Sequence, residues 1–146
     1  MLVLKDEGIP CEEIPGITSA IAAPAAAGIP VTHRQCSRMV TILTASAINS
    51  EGKKEALTQV DYKALAQLQG TLVVLMGMHH LEELALKLME AGKSPETPAA
   101  VIMEGATIRQ RSVRATLGTI AKTAAEAGLK PPAVIVIGEV AALDLM

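Results

Sequence analysis

The chain has 146 residues, half of them hydrophobic, and a formal net charge of -2 at pH 7. This length suits one core, so we expect one domain spanning residues 1–146. The acidic balance and an aromatic content of a single Tyr exclude nucleic acid as an expected partner, because such proteins combine a basic surface with stacking aromatics. Apolar runs are too short to span a membrane and the first residues turn acidic too early for a signal peptide, so we expect a cytoplasmic protein without a membrane partner.

The N-terminal third of the chain predicts two short helices and one strand. Residues 2–8 are typical of a helix end closed by a glycine, and residues 16–28 of a helix rich in small residues. Residues 39–44 form an apolar, β-branched run that predicts a buried strand. Residues 45–59 are polar, and we expect them to form a mobile loop.

The remaining residues predict strands that alternate with helices. Apolar runs at residues 71–76, 99–103 and 133–138 share the signature of buried strands, and residues 111–116 alternate as a half-exposed strand does. Two helical stripes end at glycines, and their apolar members are Leu81, Leu84, Ala85 and Leu88, then Leu117, Ile120, Ala121 and Ala124. The pattern predicts an α/β fold with a mixed parallel and antiparallel sheet flanked by helices.

Several motifs with known chemistry are incomplete in this chain. The sequence Gly92-Lys93-Ser94 lacks the first glycine of a phosphate-binding loop and closes a helix instead. The adjacent pair His79-His80 lacks metal-ligand spacing, which favours a solvated helix start over a metal site. Cys11 and Cys36 have no CxxC neighbour, so we expect two reduced structural thiols. No GxGxxG or GxSxG occurs, and the residues indicate no catalytic nucleophile.

Glycines follow three of the predicted buried strands. They are Gly77, Gly105 and Gly138. In α/β sheets, ligands settle where strands end, because main-chain groups are exposed there and small residues leave room. A small-molecule site at this edge and ordinary strand-to-helix turns are equally open at this point.

Four segments of the chain, in order and content, resemble the tetrapyrrole methylases. They are residues 14–20 (IPGITSA), 28–34 (GIPVTHR), 75–78 (LMGM) and 132–140 (PAVIVIGEV). Residues 104–107 (EGAT) and the Gln110-Arg111 pair add to the likeness, although the asparagine frequent in the first of these is missing. The GIPVTHR segment is similar to the uroporphyrinogen III methyltransferases within this family. The match runs over nearly the whole chain.

The resemblance implies an α/β fold and methyl transfer from S-adenosylmethionine, with S-adenosylhomocysteine as product. The acceptor would be uroporphyrinogen III, a tetrapyrrole, and the product precorrin-2 would serve siroheme and cobalamin synthesis. Family members bind the cofactor in a cleft between two domains and are commonly dimeric, so a homodimer is expected. The residues that the resemblance places at the cofactor are Thr18, Ser19, Met76, Gly105, Pro132 and Ala133.

The chain departs from the family because the 146 residues contain no GxGPGD loop, a motif of the family's N-terminal domain. We therefore expect the C-terminal half of such an enzyme, lacking its N-terminal domain and inactive alone. The alternative is a freestanding binding or dimerisation module of the same fold.

Uroporphyrinogen III is a polycarboxylate, which guanidinium groups suit as partners. The candidates for substrate contact are His33, Arg34, Arg38, Arg109, Arg111 and Arg114. We favour Arg34, together with His33, because both lie in the GIPVTHR segment.

Overall fold

A five-stranded sheet lies at the centre of the computed structural model, which describes residues 2–48, 54–56 and 60–145. The helices are α1 (Leu2–Asp6), α2 (Ser19–Ala26), α3 (Tyr62–Gln67), α4 (Leu81–Glu90) and α5 (Ile120–Glu126). The strands are β1 (Val40–Thr44), β2 (Ser46–Ile48), β3 (Lys54–Ala56), β4 (Thr71–Leu75), β5 (Pro98–Met103), β6 (Arg111–Thr116) and β7 (Ala133–Ile137). Short 3-10 helices cover Met78–His80 and Glu139–Ala142.

The order of strands in the large sheet is β1-β4-β7-β5-β6. Strands β1 and β4 are parallel, whereas the other neighbours are antiparallel, which confirms the predicted mixed sheet. Strand β7 is antiparallel to both β4 and β5, so the carboxyl ends of β4 and β5 lie at the same edge as the start of β7. Leu75 pairs with Val134 and Met103 with Ala133 at this edge.

Both faces of the sheet are covered, because the central strands alternate their side chains between two apolar clusters. On one face Leu72, Val74 and Ile135 pack with the buried stripes of α4 and α5. On the other face Val73 and Val136 pack with α2 and the 139–142 turn. Burial on both sides explains why these strands read as continuous apolar runs.

The predicted helices are present with shifted ends. The stripe of α4 is buried as predicted, and Gly92 follows that helix with a positive φ of 102°. Helix α2 begins at Ser19, three residues later than the sequence predicted, because Thr18 provides its N-cap. Leu117 is buried with α5 but precedes that helix. Helix α3 was not predicted.

Residues 45–59 were predicted to form a loop, but part of this segment forms strands. Strands β2 and β3 form an antiparallel pair within this segment. The strands were missed because each has only three residues, which is too short for an alternating pattern to be recognised in the sequence. Residues 49–53 and 57–59 lie outside the described residues, and the predicted mobility is not tested.

The N-terminal segment makes few contacts with the sheet. Helix α1 has no buried residue, and residues 7–18 are exposed. Within the described part of the chain, every helix falls short of the length and apolar character needed to cross a membrane.

Candidate functional site

A cavity of about 740 Å³ opens at the sheet edge where β4 and β5 end and β7 begins. Its lining combines the residues that follow these strands with the first turns of α2. The lining residues are Ser19, Ala23, Leu75, Met76, Met78, His79, His80, Ile102, Glu104, Gly105, Thr107, Arg109, Pro131, Pro132, Ala133 and Val134. The volume lies within the roughly 300–1,000 Å³ of ordinary small-molecule sites.

The backbone at this edge adopts an unusual conformation. Met76, directly after β4, and Glu104, directly after β5, have positive φ values of 54° and 47°, and Ala106 has 64°. Residues with a Cβ rarely occupy this region, and such residues cluster at ligand sites where the surrounding structure holds them in place. The Met76 side chain is 60% exposed, so its thioether is available to a ligand in the cavity.

Hydrogen bonds fix the loop that follows β5. The Glu104 N–H donates to the Pro132 carbonyl (3.0 Å), which joins this loop to the segment before β7. The Thr107 hydroxyl donates to the Glu104 carbonyl (2.8 Å), and the Ala106 N–H donates to Gln110 Oε1 (2.7 Å). The Gln110 side-chain amide donates in turn to the carbonyl of Ala26 at the end of α2 (2.9 Å). The loop after β5 is therefore held by main-chain groups together with the side chains of Thr107 and Gln110.

Close packing of α2 forms the adjoining wall. A Cβ built on Gly105 would lie 2.3 Å from Ala23 Cβ and 2.7 Å from its Cα, so only glycine allows this approach. The Thr18 hydroxyl accepts a hydrogen bond from the Ala20 N–H (3.2 Å) and caps the helix. This cap places Ser19 in the first turn, where it lines the cavity.

Charged and titratable side chains lie at the cavity opening. Arg109 Nε donates to Glu104 Oε2 at 2.5 Å. His80 lies 3.6 Å from Glu83, and the pKa of that carboxyl is held below its usual value mainly by a hydrogen bond from Lys87. Among the described residues, no group of three or more His, Cys, Asp or Glu is arranged to hold a metal ion.

The structure brings together five of the six residues predicted at the cofactor. These are Ser19, Met76, Gly105, Pro132 and Ala133, which all line the cavity described above. Thr18 is adjacent as the helix cap but is not part of the lining. The role of all six in binding stays a prediction.

The two predicted substrate residues lie apart from the cavity lining. The His33 N–H donates to the Ser37 carbonyl (2.7 Å) in a tight turn, and Arg34 is exposed on that turn. Arg111 donates to the Ala127 carbonyl (2.7 Å), and Arg114 donates to the carbonyls of Leu143 (2.5 Å) and Ala27 (2.8 Å). Arg109 alone among the six candidates lines the cavity.

One of the three strand-end glycines is at the wrong edge for a shared site. Because β7 is antiparallel to its neighbours, Gly138 lies beside the starts of β4 and β5, where its N–H donates to the Pro98 carbonyl (2.8 Å). The sequence alone carries no strand direction, so this prediction was wrong. His79 and His80 lie at the start of α4 as predicted, with His79 exposed, and both also belong to the cavity lining.

Comparison with known proteins identifies the family of this chain. Residues 1–121 match the family model for tetrapyrrole (corrin/porphyrin) methylases, and the chain belongs to this family. It is 49% identical over 141 residues to a uroporphyrinogen-III C-methyltransferase of Methanocaldococcus jannaschii, covering 96% of this chain and 56% of that protein. It is 47% identical over 138 residues to an S-adenosyl-L-methionine-dependent uroporphyrinogen III methyltransferase of Methanosarcina barkeri, covering 94% and 52%. The chain thus spans about half the length of these curated relatives.

Solved structures agree with the fold. A uroporphyrin-III C-methyl transferase of Thermus thermophilus complexed with S-adenyl homocysteine superposes with a TM-score of 0.74 at 30% identity, covering 95% of this chain and 57% of that one. A cobalt precorrin-4 methyltransferase superposes with a TM-score of 0.82 at 23% identity, which supports the fold alone.

Proposed function

We propose that this chain forms part of an S-adenosylmethionine-dependent uroporphyrinogen III C-methyltransferase, which makes precorrin-2 for siroheme and cobalamin synthesis. The observation that carries the proposal is the cavity at the strand ends, where Ser19, Met76, Gly105, Pro132 and Ala133 meet. A relative named as a uroporphyrinogen-III C-methyltransferase is 49% identical to it over 96% of the chain.

The lining fits a sulfonium nucleoside. Pro132 and Ala133 offer an apolar wall for a purine, and Gly105, packed against Ala23 of α2, lines the cavity beside them. The Met76 thioether is a polarizable contact for the sulfonium end. When bound, S-adenosylmethionine supplies an activated methyl group to a nucleophilic carbon.

The residues of this chain contribute by positioning and by excluding water. Methyl transfer from a sulfonium is an in-line displacement that needs no covalent protein nucleophile, so alignment of the reactants is the main gain. The hydrogen-bonded loop after β5 and the capped helix α2 keep the lining in one arrangement. A preformed wall of this kind lowers the entropic cost of binding.

We propose further that the chain corresponds to the C-terminal half of the enzyme and acts together with an N-terminal domain. Support comes from its span of about half of its relatives and from the GxGPGD motif, which its 146 residues do not contain. The test is a turnover assay with and without an N-terminal half supplied separately. Methylation only by the pair supports the proposal, whereas full activity of the chain alone contradicts it. Inactivity of both arrangements favours a binding or dimerisation module.

Cofactor binding is tested by isothermal titration with S-adenosylhomocysteine. Met76→Lys is expected to weaken binding about tenfold or more, because the ligand would have to bury the new ammonium or displace it into solvent. Leu86→Lys is the matched control, since Leu86 is also about half exposed but lies on α4 outside the lining. Unchanged affinity in Met76→Lys would refute the placement of the cofactor.

The predicted substrate contacts and the homodimer remain proposals. His33 and Arg34 lie outside the cavity, so they would meet a carboxylate of a tetrapyrrole that extends beyond the cofactor.

For the dimer, Ile14, Ile17 and Ile21 are exposed on and before α2, with Ile17 at 89%. Burying them would remove apolar surface from water. Sedimentation velocity should show a dimer that Ile17→Asp weakens, and a monomeric wild-type chain would contradict it.

A further inference from the structure

Arg109 presents an open guanidinium group at the rim of the cavity. Its side chain is 72% exposed, yet the residue belongs to the lining. Within the described residues, the hydrogen bond of its guanidinium is the one from Nε to Glu104, so both terminal nitrogens are left for a ligand. Those two nitrogens form the fork that binds a carboxylate through two parallel hydrogen bonds.

Glu104 holds this guanidinium in place. Its side chain is only 21% exposed, and its main chain is fixed by bonds to Pro132 and Thr107. The Arg109 N–H also donates to the Thr107 hydroxyl (3.1 Å), which anchors the other end of the arginine. An arginine held at both ends loses less entropy when it binds an anion.

The other cationic groups are engaged elsewhere or lie outside the cavity. Arg111 and Arg114 donate to main-chain carbonyls, as described above. Among the described lining residues, Arg109 is the only lysine or arginine. An anionic group of a ligand therefore meets its sole permanent positive charge at this position.

We propose that Arg109 binds a carboxylate of the ligand at the cavity rim, with Glu104 as the residue that positions it. The inference rests on the proposed function, under which carboxylates from two sources come near. One source is the amino-acid part of the cofactor, and the other is the tetrapyrrole. The chemistry is the same in both cases, so the experiment separates the two sources.

The experiment titrates the full chain with three probes. S-adenosylhomocysteine carries the cofactor carboxylate, 5′-methylthioadenosine is the matching nucleoside without it, and uroporphyrin III carries the tetrapyrrole carboxylates. Arg109→Gln is expected to weaken binding of a carboxylate probe about tenfold or more and to leave 5′-methylthioadenosine unchanged. Arg109→Lys, which keeps the charge but loses the fork, is expected to have an intermediate effect.

Further variants test the positioning role and the specificity of the effect. Glu104→Gln should reduce carboxylate-probe affinity less than Arg109→Gln does, again without changing 5′-methylthioadenosine. Lys63→Gln removes one positive charge from the exposed face of α3 and should leave all three affinities unchanged. An exposed ion pair contributes little to folding, so each variant is expected to retain the wild-type circular dichroism spectrum.

The results separate this inference from the proposed function. Weaker binding of S-adenosylhomocysteine alone assigns the cofactor carboxylate, and weaker binding of uroporphyrin III alone assigns the tetrapyrrole. Equal affinities in wild type and Arg109→Gln overturn the inference while the proposed function stands. Equal loss for S-adenosylhomocysteine and 5′-methylthioadenosine also overturns it, because the effect would not depend on the carboxylate. A wild-type chain that binds none of the probes overturns both.

Discussion

Gly105 sets the distance between helix α2 and the loop after β5. Its missing side chain lets Ala23 approach until a Cβ would be only 2.3 Å away. On the same loop, Glu104 and Ala106 hold left-handed backbone conformations on either side of it. The surrounding hydrogen bonds keep these residues in place. The shape of the cavity therefore depends on the close packing of Gly105 against Ala23.

Gly105→Ala is expected to destabilise the chain by about 1–3 kcal/mol, because the new methyl group collides with the backbone of α2 rather than with a flexible side chain. Urea unfolding measures the change, and titration should show weaker S-adenosylhomocysteine binding. Gly16→Ala is the matched control, since a Cβ there meets nothing within 4 Å. Equal stability of the two variants would show that α2 moves aside at no cost.

At the scale of the element, α2 contributes one wall of the cavity and its position depends on both ends. Thr18 caps the first turn, and Ala20 and Ala23 are buried against the sheet and the loop. At the other end, Gln110 and Arg114 donate to the carbonyls of Ala26 and Ala27. A short helix of small residues gains little from burial per residue, so these terminal bonds matter for its placement.

Thr18→Ala is expected to cost about 1 kcal/mol of unfolding free energy, because the Ala20 N–H loses its acceptor. Thr18→Ser keeps the hydroxyl and should stay close to wild type in urea unfolding. Titration of both variants then tests the predicted cofactor contact. If the Thr18 hydroxyl supports binding, either through the cap or by contact with the cofactor, binding falls in Thr18→Ala and is retained in Thr18→Ser. A stable Thr18→Ala variant would contradict the capping role.

At the scale of the whole molecule, one buried charge makes stability depend on pH. Lys93 is 9% exposed, and its ammonium donates to the Leu68 carbonyl (3.3 Å), between the ends of α3 and α4. Burial lowers the pKa of Lys93 below its ordinary 10.5. Between the lowered folded pKa and the unfolded value, the unfolded chain binds more protons, so stability rises with pH in that window.

The free energy of unfolding of Lys93→Met, relative to that of the wild type, is therefore expected to be highest at neutral pH. At that pH the wild type carries the cost of a buried charge. Its relative advantage should shrink as pH rises towards 10.5, because the wild-type amine loses its proton. Urea unfolding at pH 7 and at about pH 10 measures the difference. Comparison with Lys63→Met, at an exposed position, isolates the contribution of burial. If the difference in unfolding free energy between Lys93→Met and wild type is the same at both pH values, the buried charge is contradicted.

The sequence by itself determined the elements whose patterns are local. The stripe from Leu81 to Leu88 and the apolar runs at residues 71–76 and 133–138 predicted α4, β4 and β7, because periodicity and β-branching record burial directly. The motifs around Thr18, Met76 and Pro132 indicated the family, which the comparisons confirmed. Three-residue strands β2 and β3 escaped because their patterns are too short.

Only the tertiary structure decided which strand ends share a site. Antiparallel pairing of β7 with β4 and β5 brings the residues after Leu75 and Met103 to the segment before Ala133, and it sends Gly138 to the opposite edge. The same folding placed Arg109, rather than Arg34, in the cavity lining. Strand direction and side-chain proximity depend on contacts between distant residues, so no local pattern in the sequence contains them.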